Sequence, residues 1–245
     1  MPKQSGLGMN GYVGGYQLSN DIMSLSRIGG GHAVLDVTGI DKSAYERIGG
    51  VRDGAVEFTT GFNTTAGQSH PALSTLPTTD VHVMVTVGTT IGSPSACCVA
   101  KQVNYDPSRA QDGMLTFAVS AQANGFGVEW GDLITAGVRT DTTATNGTSL
   151  DGTASTSFGW QAYLQVFSFT GTSCTVTIQD SADNAAFAAV TGGAFTAATG
   201  RTQERLQSAS LATLRRYVRA TTSGTFSSCA FGVTVVRNQS AQVVF

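Results

Sequence analysis

Charged side chains are scarce in this chain: they make up 12% of its 245 residues, about half of the roughly 25% that is usual for globular proteins. The 14 Lys and Arg residues nearly balance the 16 Asp and Glu residues, so the net charge is −2. A protein that binds nucleic acid by neutralising phosphates needs a basic surface. The composition therefore excludes that class, and any contact with DNA has to be passive.

Targeting and cross-linking signals are also missing. No run of about 18 apolar residues predicts a membrane span, and residues 1–10 lack the basic segment and apolar stretch of a signal peptide. The four cysteines are too few and too irregularly spaced for a disulfide framework; they are Cys97, Cys98, Cys174 and Cys229. We expect a protein made in a cytosol, with reduced thiols that serve mostly as small core residues.

Catalytic and metal-binding patterns are absent too. The three histidines are His32, His70 and His82, and no Gly-x-Ser-x-Gly motif accompanies them. Adjacent Cys97 and Cys98 cannot both point into one metal site from a regular strand. The Gly6–Gly11 run matches G-x-G-x-x-G, but no strand precedes it, as a dinucleotide site requires. The sequence predicts no enzyme, no metal and no cofactor.

What is present is threonine, serine, 30 glycines and alternating apolar residues, a combination typical of β-structure. Val81, Val83, Val85 and Val87 share one face of a predicted strand, and residues 115–121 repeat the pattern. Further strands are predicted at 55–62, 95–105, 158–169, 174–179, 215–221 and 229–236. Turns are predicted at the dipeptides Asp53-Gly54, Asp112-Gly113, Thr170-Gly171 and Ser223-Gly224.

Two segments depart from the β-pattern. Residues 41–48 are predicted to form a short helix that begins at Asp41 or Thr38 and stops at Gly49-Gly50. Residues 141–157 are almost entirely small and polar, which predicts a linker. The predicted fold is all-β: an antiparallel β-sandwich or partly open barrel with one short flanking helix over residues 1–140, followed by a second β-sandwich over 158–245. The net charge is −3 in residues 1–140 and +1 in residues 141–245.

Several pieces of the first half resemble one protein family. The run from Leu35 to Asn63, and the segments 76–85, 100–106 and 112–117, are similar to the major tail proteins of long, non-contractile-tailed bacteriophages. The resemblance implies a structural virion protein of the tail that is assembled in the host cytoplasm. Its subunits would form rings, as hexamers or pseudo-six-fold trimers, that stack into a tail tube through which DNA passes at genome ejection. The tape measure, tail terminator and distal tail proteins would be further partners, and no membrane would be involved.

The resemblance also suggests contact residues. Glu57 is the candidate for an acidic residue facing the lumen, because like charge lets DNA slide. The loop 64–77 would contact the adjacent ring, with Thr64, Gly67, His70 and Pro77 as candidates. The segment from Met1 to Tyr16 is predicted to be an arm that becomes ordered only on a neighbouring subunit; its candidates are Gly6, Gly8, Gly11, Tyr12 and Tyr16.

Two alternatives stay open. The second half is either a decoration-like domain outside the tube or a divergent second tube module. The whole chain could instead be a carbohydrate-binding or capsid-decoration surface protein. Such a protein needs exposed aromatic side chains, for which Trp130, Trp160 and Tyr163 are the candidates.

Overall fold

Antiparallel strands dominate the described part of the chain. The computed structural model describes residues 6–240; Met1–Ser5, part of the predicted arm, and residues 241–245 lie outside the described residues. The strands are β1 (Met9–Val13), β2 (Tyr16–Gln17), β3 (Ile22–Asp36), β4 (Arg47–Gly61), β5 (Val81–Val87), β6 (Pro94–Gln102), β7 (Asp106–Arg109), β8 (Leu115–Ala123), β9 (Glu129–Leu133), β10 (Arg139–Asp141), β11 (Leu150–Asp151), β12 (Trp160–Ser181), β13 (Ala188–Ala194), β14 (Thr202–Gln207) and β15 (Tyr217–Arg237). One helix, α1 (Ser69–Leu73), interrupts them. The all-β fold class is confirmed.

The strands pair into one extended, open sheet. The central path runs β13-β12-β15-β9-β6-β5-β1-β2. Beside this path β8 pairs with β6, β4 and β7 pair with β8, and β3 pairs with β4. Strand β12 pairs with β15 along nearly its whole length. Strand β9 lies between β15 and β6 and so joins the two halves of the chain through backbone hydrogen bonds.

Three of the four predicted turns lie inside long strands. Asp53-Gly54 falls within β4, where it pairs with Gly31 and Gly30 of β3, and the other two fall within β12 and β15. Gly171 falls within β12, where the β12–β15 register shifts, and Gly224 falls within β15 opposite Cys174. Their φ values are 148° and 119°. Bulges of this kind bend a strand without ending it. The two predicted strands on each side of these glycines therefore merge into one. The turn at Asp112-Gly113 is present, between β7 and β8.

The helix is not where the sequence predicts it. Residues 41–48 are the tip and first residues of a hairpin between β3 and β4, because Thr38 hydrogen-bonds both Asp36 and Glu46 and so closes the loop. A helix of eight residues is marginal without an apolar surface to pack on. The observed helix lies in the loop 64–77 instead, where the Asp21 carboxylate accepts the Ser69 N–H at 2.7 Å.

Buried apolar side chains form three clusters. One lies within the second half and includes Trp160, Leu164 and Phe231, and another lies within the first half around Val56 and Phe58. A third contains residues of both halves; its members are Tyr12, Met84, Cys97, Val99, Leu133, Tyr163, Phe167 and Val236. The four cysteines are buried and unpaired, as predicted.

The Thr- and Ser-rich segment 141–157 lies along β15. Strand β11 pairs with β15 through Leu150 and Val218, and Asn146 and Thr156 form isolated bridges to Thr221 and Leu214. Backbone hydrogen bonds thus hold a segment whose side chains contribute little apolar burial. The division into two domains stays a prediction.

Candidate assembly surface

The outer part of the β3–β4 hairpin projects from the rest of the sheet. From Ala55 onward β4 also pairs with β8, whereas residues 29–54 pair only with each other. We call residues 29–54 the hairpin arm. A two-stranded ribbon of this kind is marginally stable in water by itself, and its unpaired edges can hydrogen-bond another chain.

Large apolar side chains on the hairpin arm face solvent. The exposed fraction is 109% for Ile40, 81% for Val51, 71% for Tyr45 and 66% for Val34. Val34 pairs with Gly49 and Leu35 with Ile48, so alternation places Val34 on one face and Leu35 and Ile48 on the other. Both faces of the ribbon are therefore apolar and uncovered. Contiguous exposed patches of this sort mark interaction sites in soluble proteins.

Local hydrogen bonds give the tip of the hairpin arm a defined shape. The carboxylate of Asp36 accepts the backbone N–H of Thr38 at 2.9 Å and its hydroxyl at 2.5 Å. These hydrogen bonds hold the pKa of Asp36 below its ordinary value. The Glu46 N–H donates to the Thr38 hydroxyl at 2.9 Å, and the Val37 N–H donates to the Glu46 carbonyl at the same distance. The exposed Ile40 and Tyr45 are thus presented on a structured loop.

Charges of both signs border the apolar residues. The ammonium of Lys42 lies 3.6 Å from Glu46 and 3.9 Å from Asp41. At the base of the arm, Arg27 lies 3.5 Å from Glu57. A surface that mixes both signs with apolar groups can complement a different patch on an identical subunit.

Glu57, the predicted lumen residue, lies on β4 with its neighbours Val56 and Phe58 buried at 0% and 2% exposure, as predicted for core positions. Its own side chain is partly exposed and faces Arg27. Because this pair cancels locally, Glu57 contributes less net negative charge to its surroundings than the sequence suggests. Its orientation relative to a lumen stays a prediction.

The loop 64–77 is partly ordered by its own chain. Asp21 accepts hydrogen bonds from the Asn63 amide and the Ser69 N–H at 2.8 and 2.7 Å. Of the predicted contact residues, Thr64 is exposed, whereas Gly67, His70 and Pro77 are half-buried. The His70 ring lies 3.3 Å from the Tyr105 hydroxyl. The structure brings these four residues onto one loop, and an inter-ring contact there stays a prediction.

The predicted amino-terminal arm is largely part of the subunit. Met9–Val13 pairs with β5, Tyr12 is 1% exposed, and the Gly15 N–H donates to the Gln165 side chain at 2.6 Å. The prediction that residues up to 16 become ordered only on a neighbour is therefore wrong from Met9 onward, because apolar Tyr12 and Val13 complete the subunit's own core. Gly11 is buried and Tyr16 half-buried, so among the candidates only Gly6 and Gly8 are exposed.

A buried polar cluster joins the two halves. Glu129 on β9 accepts hydrogen bonds from the Tyr163 hydroxyl on β12 and from Arg205 on β14, whose Nε and Nη2 lie 3.0 Å from the two carboxylate oxygens. The Arg205 guanidinium also lies 3.7 Å from the centre of the Phe126 ring. Burial, together with the charge of Glu129, raises the pKa of Tyr163. We call Glu129, Tyr163 and Arg205 the junction cluster; no sequence motif indicates it.

His82 and Cys97 lie beside the junction cluster: the His82 ring is 6.1 Å from the Tyr163 ring, and Cys97 interacts with the charge of Glu129. His82 lies on β5 against the second half, and burial lowers its pKa to about 4. Burial raises the pKa of Cys97 to about 12, which leaves the thiol un-ionised at neutral pH. Within residues 6–240 no three His, Cys, Asp or Glu side chains are placed to hold a metal ion, and no helix of that part is long and apolar enough to cross a membrane.

Two of the three aromatic residues proposed for carbohydrate binding are unavailable. Trp160 and Tyr163 are both 0% exposed, because both faces of β12 are covered there: Trp160 packs in one core cluster and Tyr163 in another. Trp130 on β9 is 53% exposed. Of the three aromatic residues predicted for carbohydrate binding, only Trp130 is therefore exposed.

Comparisons with known proteins give limited information. No protein-family model matches the chain, and no curated protein matches it significantly. Among solved structures, the Dit protein of phage SPP1, described as a paradigm of the hub adsorption apparatus in phages that infect Gram-positive bacteria, is 12% identical over 93% of this chain and 98% of its own, with a TM-score of 0.32. Two structures of the phage P2 baseplate in its activated conformation, with Ca and with Sr, are 9% identical with TM-scores of 0.29; they cover 97% and 96% of this chain and 100% and 99% of their own. TM-scores this low carry no conclusion about function, which has to come from the chain's own surfaces.

Proposed function

We propose that the chain is a structural protein of a bacteriophage tail that self-assembles into rings, and that the hairpin arm is its principal contact with the next subunit. The exposed arm is the observation that carries the proposal. The resemblance of residues 35–63 to tail proteins supports it, since that run includes most of the arm. Stacking of the rings into a tail tube that conducts DNA is the finer role we assign.

The physical reason for assembly is that the arm is incomplete in a lone subunit. Its large apolar side chains are exposed on both faces, and within residues 6–240 no strand other than β4 pairs with β3. Covering one large apolar side chain contributes about 1.5–3 kcal/mol, so four of them give a sum of the same order as the roughly 4–15 kcal/mol that association costs. Self-association should therefore depend strongly on protein concentration.

We propose that the arm lies on a different patch of the next subunit and not on a two-fold axis. A ribbon that lies on another patch of the next subunit makes a heterologous contact, and repetition of that contact closes a ring when the rotation allows it. The mixed charges of Lys42 and Glu46 at the tip would set the register of that contact.

Charge substitutions on the arm test the proposal. Val51→Glu and Ile40→Glu place a carboxylate on side chains that are 81% and 109% exposed, so they remove no contact within the subunit. Leu211→Glu, at a residue 69% exposed and outside the arm, is the matched control. Sedimentation velocity from micromolar concentrations upward, with negative-stain microscopy, measures assembly, and circular dichroism measures the fold.

We expect rings or tubes from the wild-type chain and from Leu211→Glu, and folded monomers from both arm variants. A wild-type chain that stays monomeric at every concentration would overturn the proposal of assembly. Normal rings from Val51→Glu and Ile40→Glu would overturn the role of the arm while leaving self-assembly intact.

A further inference from the structure

A shallow cleft of about 330 Å³ lies beside β9, and its lining includes no residue of the hairpin arm. Strand β9 alternates there: Glu129 and Leu133 point inward and are buried, whereas Trp130 and Asp132 line the cleft. Pro94 lies opposite Asp132 on β6, and Arg237 at the end of β15 closes the other side. The cleft thus combines a half-exposed indole with one acidic and one basic side chain.

The carboxylate of Asp132 is free to accept hydrogen bonds. It is half-buried, and it makes no hydrogen bond with the described residues; its interaction there is with the charge of Arg237. Burial raises its pKa above the ordinary value, with Arg237 acting in the opposite direction. Half-buried acceptors usually have partners, so this one is available to a ligand.

Backbone carbonyl groups hold the Arg237 side chain in place. Its Nη2 donates to the carbonyls of Arg215 and Arg216 at 2.9 Å each. Gly152 lies over the guanidinium, and a Cβ at that position would approach the central carbon to 2.7 Å. The absence of a side chain at Gly152 therefore keeps the guanidinium uncovered on the side of the cleft.

These groups match the chemistry of a sugar ring. The face of an indole carries negative charge density and is apolar, which suits the C–H face of a pyranose. A carboxylate accepts hydrogen bonds from hydroxyl groups and a guanidinium donates to them. Because the charges of Asp132 and Arg237 cancel, the cleft favours a neutral ligand over an anionic one such as a phosphate.

We propose that the cleft formed by Trp130, Asp132, Arg237 and Gly152 binds a neutral saccharide. The site is separate from the arm, so it does not depend on the proposed assembly. In a virion protein, saccharides of a cell surface are the ligands that such a site would meet.

Tryptophan fluorescence provides a direct test, because the sequence has 2 tryptophans and Trp160 is fully buried. The probes are the methyl glycosides of glucose, galactose, N-acetylglucosamine and rhamnose. At least one of these glycosides should shift the tryptophan emission in a saturable way, with a dissociation constant in the millimolar range typical of shallow sites. Isothermal titration with the same glycosides measures the variants independently of fluorescence.

Trp130→Ala and Asp132→Asn should each weaken binding by about tenfold or more, as loss of a central aromatic anchor or its polar partner does. Tyr45→Ala on the arm, which removes an aromatic side chain that is 71% exposed, should leave the affinity unchanged. The monomeric variant Val51→Glu should bind as the wild type does, which separates this site from assembly. The proposal would be overturned if no glycoside bound saturably, or if Trp130→Ala bound with the affinity of the wild type. It would also be overturned if Trp130 were protected from acrylamide quenching only in assembled particles.

Discussion

Removal of the charge of Glu129 should destabilise the folded chain by about 3 kcal/mol. The side chains of Glu129 and Arg205 are 3% and 6% exposed, so Glu129→Gln leaves a buried guanidinium without its counter-charge. Breaking a buried ion pair from one side costs about 3–5 kcal/mol. We place this substitution at the low end because Arg205 keeps its contact with the Phe126 ring and a hydrogen bond to Gln207 at 2.8 Å.

The second carboxylate contact provides the matched control. Arg52 lies 3.9 Å from Glu129 and its side chain is 27% exposed. Pairs of this geometry contribute about 0–1 kcal/mol, so Arg52→Met should change the free energy of unfolding by no more than that. The double variant Glu129→Gln/Arg205→Met removes both buried charges. It should therefore lose less stability than the two single losses added together.

Urea denaturation followed by circular dichroism measures these differences, in the Val51→Glu background so that dissociation of subunits does not add to unfolding. The urea concentration at the unfolding midpoint should fall for Glu129→Gln, while the dependence of the free energy of unfolding on urea concentration stays unchanged. A loss below about 1 kcal/mol for Glu129→Gln would refute the claim that the junction cluster is a desolvated ion pair. Additive losses in the double variant would refute the coupling between Glu129 and Arg205.

Two further predictions concern His82 and Gly224. Burial lowers the pKa of His82 from 6.5 to about 4, so the unfolded chain binds more protons than the folded chain between these pH values. Stability is therefore full above pH 6.5 and falls as the pH drops towards 4; His82→Gln should remove up to about 3 kcal/mol of that fall, measured by urea denaturation at pH 7 and pH 4. Gly224→Ala should lower the free energy of unfolding by more than about 2 kcal/mol, because φ is 119° and the new Cβ would lie 2.3 Å from the Ser173 carbonyl. Gly200→Ala, whose Cβ meets nothing within 4 Å, is the control in thermal unfolding, and equal melting temperatures for the two variants would contradict the prediction.

Alternation of apolar and polar residues predicted strands well where one face of the sheet is buried. Strand β5 has the predicted bounds, Val81–Val87, because its valines meet a core that selects one register. The turn prediction was wrong at Asp53-Gly54, which lies within β4 and pairs with Gly31 and Gly30 of β3. In the structure Gly30 lies inside β3, where a Cβ would be 2.5 Å from the Asp53 carbonyl, so glycine permits a close approach of two strands there and does not end one.

The junction cluster could not be predicted from local patterns. Glu129 and Tyr163 are 34 residues apart, and Tyr163 and Arg205 are 42 residues apart. Only the order β12-β15-β9, with β14 paired to β12, brings them together. Periodicity predicts which face of a strand is buried, but it carries no information about which distant strands are neighbours. The same limit explains why Trp160 and Tyr163 were proposed as surface residues.

The wrong prediction of a helix at residues 41–48 bears on the proposed role of the hairpin arm. Residues 41–48 contain helix signals, yet Tyr45 and Ile48 are 71% and 53% exposed, and the preceding Ile40 is 109% exposed. A sequence that needed only a stable subunit would gain solubility by replacing these side chains with polar ones. Their presence on a ribbon without a partner is a cost to the lone subunit that a neighbouring subunit can offset. Within the run that resembles tail proteins, residues 35–54 contribute little to the core, whereas Val56 and Phe58 are buried in it. This division is expected if residues 35–54 act between subunits.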